Sequence, residues 1–195
     1  MRIHILAAAL VGIFLLGATA NARVIPLWEG LTKTPDMLAA DQAFLAAVKE
    51  ATGGDMAAGY QRIVRKGWDA FLAGDQETAI KRFNQATLID PDRGEAYWGF
   101  ALATHLRGDS LAVAERWFLE AEKRIPEEPA LLADHARILE ESGELLRARA
   151  MFEHVIALAP TMPVGHIGLS DVLDQLGDSA GSRKEAEEAE RLLAQ

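Results

Sequence analysis

The feature of this sequence that most constrains its fold is a glycine–acid pair that returns at a regular interval. The pairs are Gly74-Asp75, Gly108-Asp109, Gly143-Glu144 and Gly177-Asp178, about 34 residues apart. Prolines return in the same phase, at Pro91, Pro126 and Pro160. Turn residues that return with such a period are typical of stacked helical hairpins. The sequence therefore predicts an all-α solenoid.

Residues 74–91 show what one repeat contains. A Gly-Asp turn opens the unit, and the following helix carries Ala79, Phe83 and Ala86 on one side. Pro91 ends this helix, because its ring clashes with a preceding carbonyl and it has no N–H to donate. The same pattern predicts first helices at about 95–107, 129–142 and 163–176, and second helices at about 77–89, 111–124, 145–158 and 179–193.

The repeated unit resembles the tetratricopeptide repeat (TPR), in which small and aromatic residues alternate between the two helices of a hairpin. Four units are similar to it, at about 60–93, 94–128, 129–162 and 163–195. The matching residues include Gly67, Ala79, Phe83, Ala86, Tyr97, Phe100, Ala101, Ala114, Phe118, Ala121, Leu132, Ala136, Ala148, Phe152, Leu169, Ala186 and Ala189. The resemblance implies an α-solenoid of about four hairpins with a concave groove.

Residues 23–59 precede the array and are predicted to form a lead segment and a capping helix. Thr34-Pro35-Asp36 has the features of a helix start, since the hydroxyl can cap and proline suits the first turn. This helix is expected to end near Thr52, and a second to run from about Met56 to Ala73. At the other end, the charged surface of residues 183–191 suits a terminal repeat that has no successor.

The first 22 residues are predicted to be a signal peptide. Arg2 precedes an apolar run from Ile5 to Leu16, and small residues then offer cleavage after Ala20 or Ala22. The apolar run is short for a membrane span of about 20 residues, which favours cleavage over retention as an anchor. We therefore expect a periplasmic or secreted protein of a bacterium, with no membrane span after cleavage.

Charge and motifs argue against several function classes. The net charge of −9 argues against nucleic-acid binding, which needs a surplus of Lys and Arg. The chain has no cysteine, so it has no disulfide, thiolate metal site or thiol nucleophile. The five histidines show no i, i+4 pair, and no catalytic or phosphate-binding motif occurs. We expect a protein that is not an enzyme and that uses no metal and no cofactor. His135 is expected to be a packed core residue.

The TPR resemblance implies that a partner protein binds in the concave groove, which the first helices line. The candidate groove residues are Val64, Trp68, Phe71, Trp98, Leu102, His105, Arg137, Glu141, Asp171 and Asp174. Such a groove is apolar at one end and acidic at the other, which suits a segment with an apolar anchor and a basic flank. Simpler roles stay open for these residues: the tryptophans as core, the acids as solvated surface, and Arg137 as a partner of nearby acids.

Two other functions stay open at this point. The groove aromatics or the last repeat would let copies of the chain assemble into an oligomer, and the tryptophans would offer stacking surfaces to a glycan or small molecule. A further feature is the pair Asn84 and Gln85, whose amides are able to hydrogen-bond a partner's backbone but equally suit a helix surface.

Overall fold

The computed structural model describes residues 23–28 and 30–195, so the predicted signal peptide at residues 1–22 lies outside the described residues. A short 3-10 turn at Pro26–Trp28 is followed by nine α-helices in this part of the chain. They are α1 Pro35–Ala51, α2 Met56–Leu72, α3 Gln76–Ile89, α4 Glu95–Leu106, α5 Leu111–Glu122, α6 Pro129–Glu141, α7 Leu145–Leu158, α8 Pro163–Gln175 and α9 Ser179–Leu193. The described residues contain no strand, and the all-α prediction is confirmed.

The glycine–acid pairs lie at the turn inside each hairpin. The four glycines that end the first helices have φ between +78° and +87°, a conformation that costs glycine little and other residues more. Asp75 and Asp178 then cap the second helices, because each carboxylate accepts a backbone N–H three residues on at 2.9 Å. Asp109 differs, since its carboxylate pairs with Arg107 at 2.7 Å.

The hairpins pack through large aromatic side chains that meet small residues. Phe83, Phe118 and Phe152, one on each of α3, α5 and α7, are fully or almost fully buried. The ring of Phe83 lies between Gly67 of α2 and Gly99 of α4, so the backbones of both neighbouring helices approach it closely. Small residues where helices cross and bulky ones in the gaps explain why the sequence repeats in phase.

The apolar interior forms two clusters that meet at α6. Leu131 and Ile138 belong to the cluster that fills the first two hairpins. Leu132 and Leu139 belong to the cluster that fills the last two. Each pair is seven residues apart and so lies along one side of the helix, which makes α6 the element that joins both halves of the solenoid.

Both ends of the array are more polar than its centre. In α1, which packs against α2 and α3, Val48 is the one buried residue. In α9, Ala189 is the one buried residue and charged side chains cover the outer surface. α1 therefore caps the first of the four hairpins, and α9 is the outer helix of the last one, which confirms the predicted α-solenoid with an N-terminal capping helix. Within the described residues, no helix combines the length and the apolar character needed to cross a membrane.

Candidate protein-interaction groove

The first helices of successive hairpins, α2, α4, α6 and α8, are neighbours and line one face of the solenoid. A cavity of about 230 Å³ opens on this face. It is lined by Phe71, Leu102, His105, Leu106, Asp134, Arg137, Ile138 and Glu141. The lining comes from α2, α4 and α6, so the cavity extends across three hairpins and has apolar and charged sides.

Two tryptophans, Trp68 and Trp98, contact residues that line this cavity. The ring centroid of Trp68 lies 5.7 Å from that of Phe71, 5.2 Å from that of Phe83 and 5.5 Å from that of Trp98, all edge-on. The indole Nε1 of Trp98 donates a hydrogen bond to Asp134 Oδ2 at 3.0 Å. Both rings are half-buried, and the Trp98 bond ties α4 to α6.

Polar contacts run along the rim of the cavity, both within α6 and between α4 and α6. Asp134 also accepts a hydrogen bond from the guanidinium of Arg137, one turn later on α6. His105 Nε2 lies 2.9 Å from Glu141 Oε2, a second link between α4 and α6. Arg137 is thus paired with a neighbouring acid, while half of its side chain stays exposed to a partner.

The acidic part of the groove lies between α6 and α8. A smaller cavity of about 80 Å³ is lined there by Arg137, Glu140 and Asp171, among others. Burial and the nearby charge of Asp171 raise the pKa of Glu140, although a hydrogen bond from Gln175 at 2.7 Å opposes this. Among the described residues, Asp171 and Asp174 take part in none of the salt bridges. This end of the groove therefore has an excess of negative charge.

The structure places the ten predicted groove residues in five settings. Phe71, Leu102, His105, Arg137 and Glu141 line the larger cavity. Asp171 lines the smaller one, Asp174 is exposed on α8, and the two half-buried tryptophans lie beside lining residues of the larger cavity. Val64 needs a correction: it is 5% exposed and belongs to the apolar core, so it offers a partner almost no surface.

Two important residues of the groove were not among the predicted ones. Asp134 receives both the Trp98 indole and the Arg137 guanidinium, and Ile138 forms part of the cavity lining. The spacing of Asp134 and Arg137 is that of residues one helical turn apart, so their pairing had a sequence signal. The bond from Trp98 joins residues 36 positions apart and had none.

Two histidines, His135 and His166, are buried and hydrogen-bonded to neighbouring helices or turns. His135 is 1% exposed, which confirms it as a core residue. Its ring stacks on Phe118 with 4.5 Å between centroids, and Nδ1 lies 2.7 Å from Glu122. His166 bridges Glu185 and the carbonyl of Pro160. Within residues 23–28 and 30–195, no group of three or more His, Cys, Asp or Glu side chains is placed to hold a metal ion.

Asn84 does hydrogen-bond a backbone, but it is the backbone of this chain's own N-terminal segment. Its side-chain oxygen accepts the N–H of Leu27 at 2.6 Å, and its amide nitrogen donates to the carbonyl of Ile25 at 3.0 Å. Gln85 instead accepts a hydrogen bond from Arg82 at 2.9 Å. The N-terminal segment is therefore held on α3, away from the groove helices.

Comparison with known proteins supports the fold. No protein-family model and no curated protein matches this chain. Among solved structures, PilF of Pseudomonas aeruginosa matches with a TM-score of 0.66 and 18% identity, over 70% of this chain and 62% of that chain. Two structures of MamA also match. The first has a TM-score of 0.62 and 16% identity, over 84% of this chain and 96% of that chain. The second has a TM-score of 0.59 and 15% identity, over 78% of this chain and 91% of that chain. The chain thus spans less than two thirds of PilF. These neighbours are TPR proteins, which agrees with the repeat pattern.

Proposed function

We propose that this protein is an interaction scaffold of the bacterial cell envelope, and that its groove binds a segment of another protein. The segment would carry an apolar anchor side chain and, about one hairpin further along, basic side chains. The observation that carries this proposal is the cavity between α4 and α6, where an apolar lining meets a charged rim. A groove of packed helices is largely preformed, so the partner bears most of the ordering cost of binding.

The apolar side of the cavity supports an anchor of leucine or phenylalanine type. Phe71, Leu102 and Ile138 form its lining, and Leu106 is 59% exposed at its edge. An exposed leucine next to an apolar recess is a favourable contact for a partner side chain, because burying it removes apolar surface from water.

The excess of acid between α6 and α8 supports a basic flank. Glu140 is partly buried beside Asp171 and Glu141, and these charges raise its pKa. A Lys or Arg of the partner would offset this repulsion, and charge complementarity mainly sets specificity and association rate. We expect the affinity to fall as salt rises, since exposed charges are screened.

The proposed location in the envelope rests on residues 1–22 of the sequence. A basic start, an apolar run and small residues at the end are the features of an exported precursor. Cell fractionation and N-terminal sequencing of the isolated protein test this directly. The expected result is a periplasmic or secreted chain that starts at Asn21 or Arg23, and a cytoplasmic chain that starts at Met1 would contradict it.

The groove is tested by a matched pair of leucine substitutions. Leu106→Glu places a charge at the cavity, whereas Leu146→Glu places the same charge on α7, where Leu146 is 72% exposed and is not among the lining residues. Photo-crosslinking in intact cells, followed by recovery of the tagged protein, is expected to capture one partner with wild type and Leu146→Glu. Leu106→Glu is expected to lose it while circular dichroism stays unchanged. Retention of the partner by both variants would show that the groove is not the binding surface.

A further inference from the structure

Groups on α3 and on the α4–α5 turn bind the backbone of residues that precede α1. We refer to residues 23–27 as the strap, and to Glu77, Asn84 and Arg107 as the clamp. The strap lies far in sequence from the clamp, by 53 residues for Val24 and Glu77 and by 83 residues for Val24 and Arg107. Nothing local holds these groups together, so their fit to each other is a tertiary interaction.

The clamp binds the strap mainly through backbone atoms. The N–H of Val24 donates to Glu77 Oε2 at 2.8 Å, and its carbonyl accepts from the Arg107 guanidinium at 2.6 Å. Asn84, which is 7% exposed, bonds the carbonyl of Ile25 and the N–H of Leu27. An amide side chain has both donors and an acceptor, so Asn84 is able to bond a carbonyl and an N–H of the same segment at once.

Side chains of the strap add selectivity for its sequence. Val24 packs against the core cluster of the first two hairpins, and Pro26 is buried. Arg23 pairs with Asp109, which Arg107 also holds. The site therefore fits a segment with a basic residue, a β-branched residue and, two positions later, a proline.

These four backbone bonds do not depend on how the strap is connected to the array. All of them end on α3 or on Arg107, and none ends on α1. The strap ends at Leu27 with φ 52°, and the chain then passes Gly30 at φ 76° before α1, which buries one residue, Val48. A cavity of about 480 Å³ is lined by Val24 of the strap, Asp41 of α1 and several residues of α3. The same segment arriving from another molecule would make the same bonds.

We propose that the clamp is a docking site for the strap of a second copy of this chain, so that two copies exchange N-terminal segments. Within one molecule the strap competes at an effective concentration on the order of millimolar. In the wild-type protein, the exchanged dimer therefore forms only where the protein is highly concentrated. Variants in which a molecule's own strap no longer competes for the clamp are expected to form it at micromolar concentration.

The test uses two complementary variants of the full chain. The donor, Asn84→Leu, keeps its strap but has a disabled clamp, because leucine fills a similar volume without hydrogen bonds. The acceptor, Val24→Asp with Pro26→Asp, keeps its clamp but has a strap that no longer fits. Light scattering after gel filtration, at about 100 μM of each variant, is expected to show monomers for each variant alone and a one-to-one dimer for the mixture. In the mixture, the acceptor has a clamp without a competing strap, and the donor has a strap without a clamp of its own.

A control separates exchange from other association. An acceptor that also carries Asn84→Leu has neither strap nor clamp, and it is expected to stay monomeric when mixed with the donor. Dimers in this control, or monomers in the donor–acceptor mixture with both variants folded by circular dichroism, would overturn the proposal. A second measurement does not depend on the acceptor's stability. Wild type refolded at millimolar concentration is expected to yield dimers, and Asn84→Leu is expected to yield none. Equal yields of dimer from the two proteins would also overturn the proposal.

Discussion

Gly99→Ala is expected to destabilise this protein, although alanine is the better helix former. The methyl group would lie 2.3 Å from Cζ of Phe83 and within 2.5 Å of two more ring atoms. The ring is fully buried, so it has no open space to enter. It also cannot move towards α2, because a methyl at Gly67 would itself lie 2.5 Å from the opposite side of the ring.

The size of the effect follows from two opposing contributions. Overpacking of a filled core costs about 1–3 kcal/mol, and the confined ring puts this site at the upper end. The higher helix propensity of alanine returns about 1 kcal/mol. The free energy of unfolding should therefore fall by about 1–2 kcal/mol, which lowers the Tm by on the order of 5 °C for a chain of this size.

Thermal and urea unfolding followed by circular dichroism measure this effect. Gly165→Ala in α8 is the matched control, since its methyl would meet side-chain atoms of Val155 and Ile156 at 3.1 Å, a contact that a small shift relieves. Its Tm is expected to stay the same or rise. A Gly99→Ala variant as stable as wild type would refute the close packing of Phe83 against α4.

Two further predictions concern titration. Burial alone would raise the pKa of Glu185, but hydrogen bonds from His166 and from a lysine outweigh burial and lower this pKa below the usual 4.5. The ionised carboxylate therefore stabilises the fold above that pH, and this stabilisation is lost as the pH falls through the folded-state pKa. Urea unfolding should show Glu185→Gln less stable than wild type at neutral pH and the difference shrinking below about pH 4.5, whereas the exposed Glu190→Gln should match wild type throughout. Burial raises the pKa of both tyrosines, Tyr60 and Tyr97. Absorbance at 295 nm is therefore expected to show little tyrosinate in the folded protein at pH 10, the ordinary pKa of tyrosine. Ionisation of half of the tyrosine side chains at that pH would contradict their burial.

The helices and their order were predictable because their signals are local. Glycine at a positive φ, a capping aspartate and a helix-ending proline each act within a few residues of the boundary they set. The helix ends expected from these signals lie within about two residues of those in the structure. The repeat makes these helix boundaries easier to recognise, because each hairpin packs on the next in the same way and so needs the same residue types at the same positions.

The groove was less predictable because its residues are decided by packing between hairpins. A repeat pattern assigns a helix position to the concave face, but the neighbouring helix determines whether a side chain there is covered. Val64 is apolar and lies at the border between core and groove, and packing places it in the core. Asp134 matters because Trp98 reaches it from the previous hairpin, a contact that no spacing within one helix specifies.

The contact between the strap and α3 could not be predicted from the sequence, but one residue, Asn84, indicated that some contact is made there. Asn84 stands on a helix whose neighbouring positions, Phe83 and Ala86, are fully buried. A buried amide needs hydrogen-bond partners, and inside a helix the backbone groups nearby are already paired with each other. An amide at such a position therefore indicates a partner from outside the repeat, although it does not say which segment provides it. Only the folded chain shows that this partner is the backbone of Ile25 and Leu27, because the segment that carries them lies outside the repeats.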